Sequence, residues 1–212
     1  MNLAHIKALL LTGAPKHAIG YGEKIYMAEV EKEELLVKAL KTGSREAFDS
    51  LYGKYKNLAF KTAYFISGNR QDAEDIVQDT FIKVWTDSIG LRENGGFKAW
   101  MMRILVHNAY RAARKRKREF PDDETVSRLD NRLEPSSLEH IMQKEEALQV
   151  IMAIGKLPVK QRAVVVLYYY NALSVKEIAQ MLGVTTGTVK SRLHTARGRI
   201  GKELAAYEEG TI

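Results

Sequence analysis

The chain contains no cysteine, which excludes disulfide scaffolds, thiolate zinc sites and cysteine nucleophiles. Its longest uncharged apolar run, 163–170, is far shorter than the ~20 residues a membrane-spanning helix needs. Near the beginning the only apolar block is Leu9, Leu10 and Leu11, too short for a secretory signal. These absences predict a cytoplasmic protein with no membrane insertion, and a lack of thiols fits that compartment. Five histidines are scattered without ligand spacing and no Glu-x-x-His pair occurs, so no metal site is expected. Gly183, Gly187 and Lys190-Ser191 fail the phosphate-loop pattern, because the glycines stand too close and the lysine comes too late. No catalytic constellation remains; the chain is read as a non-enzyme without a cofactor.

What the chain does have is positive charge. Over 212 residues, 33 basic side chains face 26 acidic ones for a formal charge of +7. Nucleic acid is the commonest acidic partner of such a protein. The length allows one large domain or two small ones at roughly 100 to 200 residues each. With 45% hydrophobic residues there is material for packed cores and too much for a disordered chain.

The periodicity predicts an all-α fold of two small helical domains. Residues 1–26 carry Gly13, Pro15, Gly20 and Gly22 and read as a poorly ordered leader; Met27 opens a second plausible start. From 27 to 118 the spacing is helical. Ser44 is an expected N-cap. Ala47, Phe48, Leu51, Tyr52, Tyr55, Leu58, Ala59, Thr62 and Phe65 or Ile66 then mark one buried face. Ser67-Gly68-Asn69 ends that helix. The next carries Ala73, Ile76, Val77, Thr80, Phe81, Val84 and Trp85 inward, with acidic residues at its start where the helix dipole favours them. A loop is expected over 86–96. A third helix follows with Phe97, Trp100, Met101, Ile104, Leu105 and Asn108 as its inward row and a strongly basic end, Arg111 to Arg118.

From 119 to 137 six acidic residues face two basic ones, punctuated by Pro121 and Pro135. That segment reads as a flexible acidic linker; nineteen residues reach about 63 to 68 Å when extended. Helical spacing resumes over 138–204, breaks at Leu157-Pro158, and leaves 205–212 as a tail.

Within the second domain, Ser174 to Arg197 reads as a helix-turn-helix. Ser174 caps a short helix with Ile178, Ala179 and Leu182 inward, and Gly183 supplies a left-handed turn. Val189, Leu193, Ala196 and Ile200 then recur at helical spacing. They leave Thr186, Thr188, Lys190, Ser191, Arg192, His194, Thr195 and Arg197 outward, the hydroxyls and cations a recognition helix offers to base edges and phosphates.

The segments Leu157-Pro-Val-Lys-Gln-Arg162, Leu173-Ser-Val-Lys-Glu-Ile-Ala179 and Gly187-Thr-Val-Lys-Ser-Arg-Leu-His194 resemble region 4 of the extracytoplasmic-function (ECF) sigma factors, a branch of the sigma-70 family of bacterial RNA polymerase sigma factors. Asp72-Ala-Glu-Asp-Ile-Val-Gln-Asp-Thr-Phe-Ile-Lys-Val-Trp85 is similar to region 2.2, and Phe97-Lys-Ala-Trp100 with the basic helix is similar to regions 2.3 and 2.4. The resemblance covers about Glu33 to Leu204, and both halves in this order are far more specific than either alone.

The resemblance implies a non-catalytic promoter-specificity subunit of RNA polymerase. By it, Asp72, Glu74, Asp75, Gln78, Asp79 and Trp85 would contact the β′ clamp coiled coil, with the β flap as a second polymerase contact. The −35 element would fall to the recognition helix. The melted −10 element would fall to Asn94, Arg103, His107, Asn108, Arg111, Arg114 and Lys115, with unstacked bases trapped beside cations. It also implies an anti-sigma factor. His107 and Arg111 depart from the family's usual asparagine and aspartate. Trp85 reads equally as core, Trp100 reads as core, and the acidic linker is either an RNA mimic in the polymerase channel or a plain tether. The competing reading is an autonomous helix-turn-helix repressor or activator whose first domain senses a signal or dimerises. An RNA-binding module is disfavoured by the lack of aromatic sheet motifs.

Overall fold

The computed structural model describes residues 23–88, 96–119 and 148–208. These residues are helical, with no strand among them. The linker's remaining residues after Glu119 and the tip of the 86–96 loop lie outside them, as does most of the leader.

Four helices make the first half: α1 (Glu23–Lys41), α2 (Arg45–Ser67), α3 (Arg70–Asp87) and α4 (Phe97–Glu119). Their punctuation follows from local chemistry. Ser44 Oγ accepts the Ala47 N–H at 3.2 Å and starts α2. Gly68, at φ 79°, ends it by returning its N–H to the Tyr64 carbonyl at 2.8 Å. The next residue, Asn69, caps α3 by accepting the Asp72 N–H at 2.9 Å. One glycine-asparagine step therefore closes one helix and opens another. Leu40, Leu51, Ile66, Val84, Met101 and Leu105 fill the space between these helices.

Several sequence expectations shift. Helix α1 begins at Glu23, inside the expected leader of 1–26, and α3 continues to Asp87, so the loop starts later than 86. In α4 the buried row is Phe97, Met101, Met102, Leu105, Val106, Ala109 and Ala113, while Trp100, Ile104 and Asn108 sit half-buried at its margin. The contact surface is rotated relative to the expected row because α4 packs against both α2 and α3. In α2, Phe48 is half-buried and Tyr52 is exposed, since α3 covers only part of that face.

The second half comprises a helical stretch 148–155, α5 (Val159–Val165), a π-helical turn (Val166–Tyr170), α6 (Val175–Leu182) and α7 (Thr186–Glu208). The break at Leu157-Pro158 is held by Arg162, which is buried and donates from Nη1 to the Gly155 carbonyl at 2.9 Å. Burial pulls its guanidinium down to about 10. The π turn, which periodicity alone does not reveal, is closed by Asn171: its N–H and its Nδ2 both donate to the Val166 carbonyl, at 3.0 and 3.3 Å. Ala172 follows at φ 57°, a left-handed conformation that costs a residue with a Cβ roughly 1–2 kcal/mol.

The two halves share a buried apolar core. Helix α2 packs against α5 and the π turn, and α4 against α5 and α6. The continuous apolar side chains from Ala163 to Leu167, on α5 and the π turn, are all buried in that core.

Candidate functional site

Three surfaces carry the chemistry. On α3, the exposed residues Glu74, Asp75, Gln78 and Asp79 form an acidic face above the buried row of Ala73, Ile76, Val77, Thr80 and Phe81. Glu74 pairs with Arg70 at 3.0 Å, and Asp75 accepts from Gln71 Nε2 at 3.2 Å. Asp72 stands apart from this face. It is half-buried and its Oδ2 lies 3.7 Å from Arg116 Nη1 on α4, which turns it inward.

Trp85, which reads equally as core or as contact in the sequence, is 44% exposed and stands outside the buried core. Its ring meets Phe48 edge-on at 5.4 Å, and Tyr52 meets Phe81 at 4.8 Å. Together these rings line a groove of about 680 Å³ between α2 and α3, with Phe60, Ile82 and the polar rim of Lys56, Asn57, Glu74 and Gln78. Tyr52 and Ile82 are 40% and 52% exposed. Sequence reasoning assigned Phe48 and Tyr52 to the core and gave Ile82 no role. The available signal was the surplus of large apolar residues beyond a single helical stripe on both α2 and α3.

The second surface is the basic stripe of α4. Arg103, His107, Arg111 and Arg114 are exposed and recur at spacings of four, four and three, so they share one face. Lys115 is exposed and Asn108 half-buried beside them. Asn94 lies outside the described residues.

The third is the helix-turn-helix. Ser174 and Glu177 form a complete capping box: Ser174 Oγ accepts the Glu177 N–H at 3.2 Å, and Glu177 Oε2 accepts the Ser174 N–H at 2.7 Å. Gly183, at φ 63°, makes the turn. Thr185, which sequence reading passed over, caps α7 by accepting the Thr188 N–H at 3.1 Å. The expected inward row of Val189, Leu193, Ala196 and Ile200 is fully buried. Outward, Thr186, Lys190, Ser191, His194 and Thr195 are exposed and sit together.

Three expected readers are engaged elsewhere. The Thr188 hydroxyl lies 3.0 Å from that of Thr185. Arg197 is half-buried and hydrogen-bonds the Tyr169 side chain, and Arg192 is half-buried with its charge acting on the Tyr110 hydroxyl of α4. Burial raises both tyrosines above their ordinary value, and the nearby guanidiniums only partly offset it.

Among the described residues no cluster of histidine, aspartate or glutamate could hold a metal ion. No described helix is long and apolar enough to cross a membrane. The three surfaces are one acidic, aromatic face suited to protein and two basic faces suited to nucleic acid.

The chain is similar to known proteins in sequence and in fold. Residues 51–119 match the family described as "Sigma-70 region 2" and residues 147–200 match "Sigma-70, region 4". The ECF RNA polymerase sigma factor SigM of Mycobacterium tuberculosis is 31% identical over 195 residues, covering 91% of this chain and 93% of that protein. SigW of Bacillus subtilis, also an ECF RNA polymerase sigma factor, is 30% identical over 176 residues, covering 79% and 94%. Among solved structures, the sigma factor RpoE of Bartonella quintana, crystallised with the anti-sigma factor NepR, superposes with a TM-score of 0.60 at 27% identity over 74% of this chain and 96% of that one. CnrH in complex with the cytosolic domain of CnrY shares the fold, with a TM-score of 0.60 at 22% identity.

Proposed function

Because the chain belongs to the ECF branch of the sigma-70 family, it is an alternative RNA polymerase sigma factor, and we propose how its three surfaces divide that work. The acidic face of α3 docks on the β′ clamp coiled coil through Glu74, Asp75, Gln78 and Asp79, and the groove beside it accepts apolar side chains of the same partner. Buried aromatic anchors ringed by polar residues are the pattern that concentrates binding energy. Trp85 and Tyr52 fit that role, whereas Asp72 positions α3 against α4. The second half adds a contact to the β flap.

Promoter DNA is read by the other two surfaces. Lys190, Ser191, His194 and Thr195 of α7, with Thr186, enter the major groove of the −35 element. Arg103, His107, Arg111, Arg114 and Lys115 of α4, with Asn108 and Asn94, hold the melted −10 strand, where cations draw the phosphates and unstacked bases find side-chain partners. Catalysis belongs to the polymerase. An anti-sigma factor is proposed as a cytoplasmic partner, because the solved structures similar to this chain include one crystallised with NepR.

The separation of charge carries this reading. The exposed α3 face is acidic and beside it lies an aromatic groove, while α4 and α7 expose cations and hydroxyls. A phosphate backbone repels the first surface and attracts the other two. Run-off transcription with purified core polymerase tests it. The chain should give transcripts from a cognate promoter only when core enzyme is present and bind duplex promoter weakly alone. Tight unaided operator binding with no transcript would support an autonomous repressor or activator instead.

A further inference from the structure

The groove between α2 and α3 holds large apolar side chains open to solvent. Tyr52, Ile82 and Trp85 are all exposed and Phe60 is half-buried. Side chains of that size left in water favour any occupant that covers them. Glu74 stands on the rim, and Asp75 and Asp79 are exposed on the same helix. A matching occupant therefore combines apolar side chains with positive charge and carries no acid of its own.

The stretch 1–22, outside the described residues, has that composition. Leu3, Ile6 and Leu10 recur at i, i+3 and i+7, the spacing by which amphipathic segments anchor in apolar grooves. Lys7 and Lys16 lie in the same stretch, which contains no aspartate or glutamate. Gly13 and Pro15 close the apolar block. The fold puts the groove within reach. Glu33 of α1 pairs with Lys54 of α2 and accepts from the Tyr55 hydroxyl, level with the groove's α2 lining from Phe48 to Phe60. From Glu33 back to Glu23 is about 15 Å of helix, and half-way round α2 is under about 20 Å. Residues 12–22 extend to about 36–40 Å, enough to cover both.

We propose that residues 3–11 dock in the α2–α3 groove of their own chain, with Leu3, Ile6 and Leu10 toward its rings and Lys7 toward the acidic rim, and that core polymerase displaces them. The displacement rests on the sigma-factor reading above, whereas the docking stands without it. A short tether supplies an effective concentration in the millimolar range, so a segment too weak to bind as a separate peptide stays seated. A segment of about 0.1 mM intrinsic affinity then leaves roughly one groove in ten open, which lowers apparent core affinity about tenfold. The groove proposed to grip polymerase is thus shielded until polymerase competes for it.

Two measurements on the full chain test it. Because the protein has no cysteine, Ala8→Cys with Gly53→Cys introduces the only thiols for spin labels. Gly53 is exposed on α2, with open space where a Cβ would stand. The free chain should give one short, narrow distance, and adding Ile6→Glu with Leu10→Glu should broaden and lengthen it. A broad, long distribution in the chain that keeps Ile6 and Leu10 overturns the docking. A short distance between singly labelled chains mixed together gives the groove to a second copy and overturns it equally. Separately, the unlabelled Ile6→Glu, Leu10→Glu chain should bind core polymerase several-fold more tightly than the parent, up to about tenfold. Equal or weaker affinity overturns the competition. If neither chain binds core enzyme, the sigma-factor reading fails, while the free-chain distance still decides whether the segment docks.

Discussion

Asp72 Oδ2 lies 3.7 Å from Arg116 Nη1, so the first acidic residue of α3 faces the basic helix rather than the outer acidic surface. Arg116 follows directly on Arg114 and Lys115, which the sequence reading assigned to DNA. The pair links the helix proposed to grip polymerase to the helix proposed to grip the promoter. At 27% and 29% side-chain exposure it is partly shielded, yet its separation is too long for a hydrogen bond.

Asp72 and Asp75 should therefore behave differently. Asp75→Lys reverses a charge in the exposed acidic face and should lower core-polymerase affinity without moving the thermal midpoint. Asp72→Asn should do the reverse, costing up to about 1 kcal/mol of stability and leaving core affinity nearly intact. Fluorescence anisotropy with labelled protein, together with thermal melts, separates the two; equal effects on binding would contradict the inward role of Asp72.

Truncating Trp85 or Tyr52 to alanine should cost about 2 kcal/mol of core binding, close to a 30-fold loss. The fold should lose only about 1 kcal/mol, the scale of one aromatic pair, because both rings are already exposed. A titration in which both variants bind core enzyme like the parent would remove the groove from the docking surface.

On the recognition helix, Lys190→Ala and His194→Ala should weaken −35 discrimination while core binding stays unchanged. Lys190→Ala should also reduce the salt dependence of DNA binding by about one unit if it contacts phosphate. Arg197→Ala is expected to act first on stability through its lost bond to Tyr169. Promoter selection by sequencing of bound fragments, measured beside thermal melts, distinguishes the groups; unchanged promoter choice in both exposed variants counts against α7 as the reader.

Tyr110, Tyr169 and Tyr170 all have hydroxyls raised above the ordinary value of 10.0, chiefly by burial. Above pH 10 the unfolded chain therefore loses protons that the folded chain keeps, so stability falls as pH rises through that range and is unaffected below it. Ultraviolet titration should show tyrosines that ionise late and together with unfolding. Ionisation of all ten at the ordinary value, before the fold is lost, would contradict the burial of these three.

Removing the capping box with Ser174→Ala should cost about 1 kcal/mol, near 2–4 °C in the thermal midpoint for a chain of this size. Restoring it with Thr should recover most of the loss.

Much of this protein is legible along the chain. Ser44, Gly68, Asn69, Ser174 and Gly183 set helix ends through bonds no longer than four residues, so neighbours in sequence suffice to foresee them. The inward row of Val189, Leu193, Ala196 and Ile200 is equally local, because helical period alone puts those side chains on one face. The charge contrast between α3 and α4 is likewise a property of composition.

Tertiary packing decided the rest. Phe48 and Tyr52 carry the same apolar signal as their buried neighbours, and only the partial cover given by α3 makes them a groove. Thr62 and Asn171 are far apart in sequence, and nothing local announces that they meet. Arg192 and Arg197 look like free cations until α4 and the π turn come to rest beside them. Local chemistry sets where helices begin, end and turn their apolar side, because those forces act within one or two turns; which exposed side chains remain available depends on what another helix covers, and that is settled only when distant segments compete for the same buried surface.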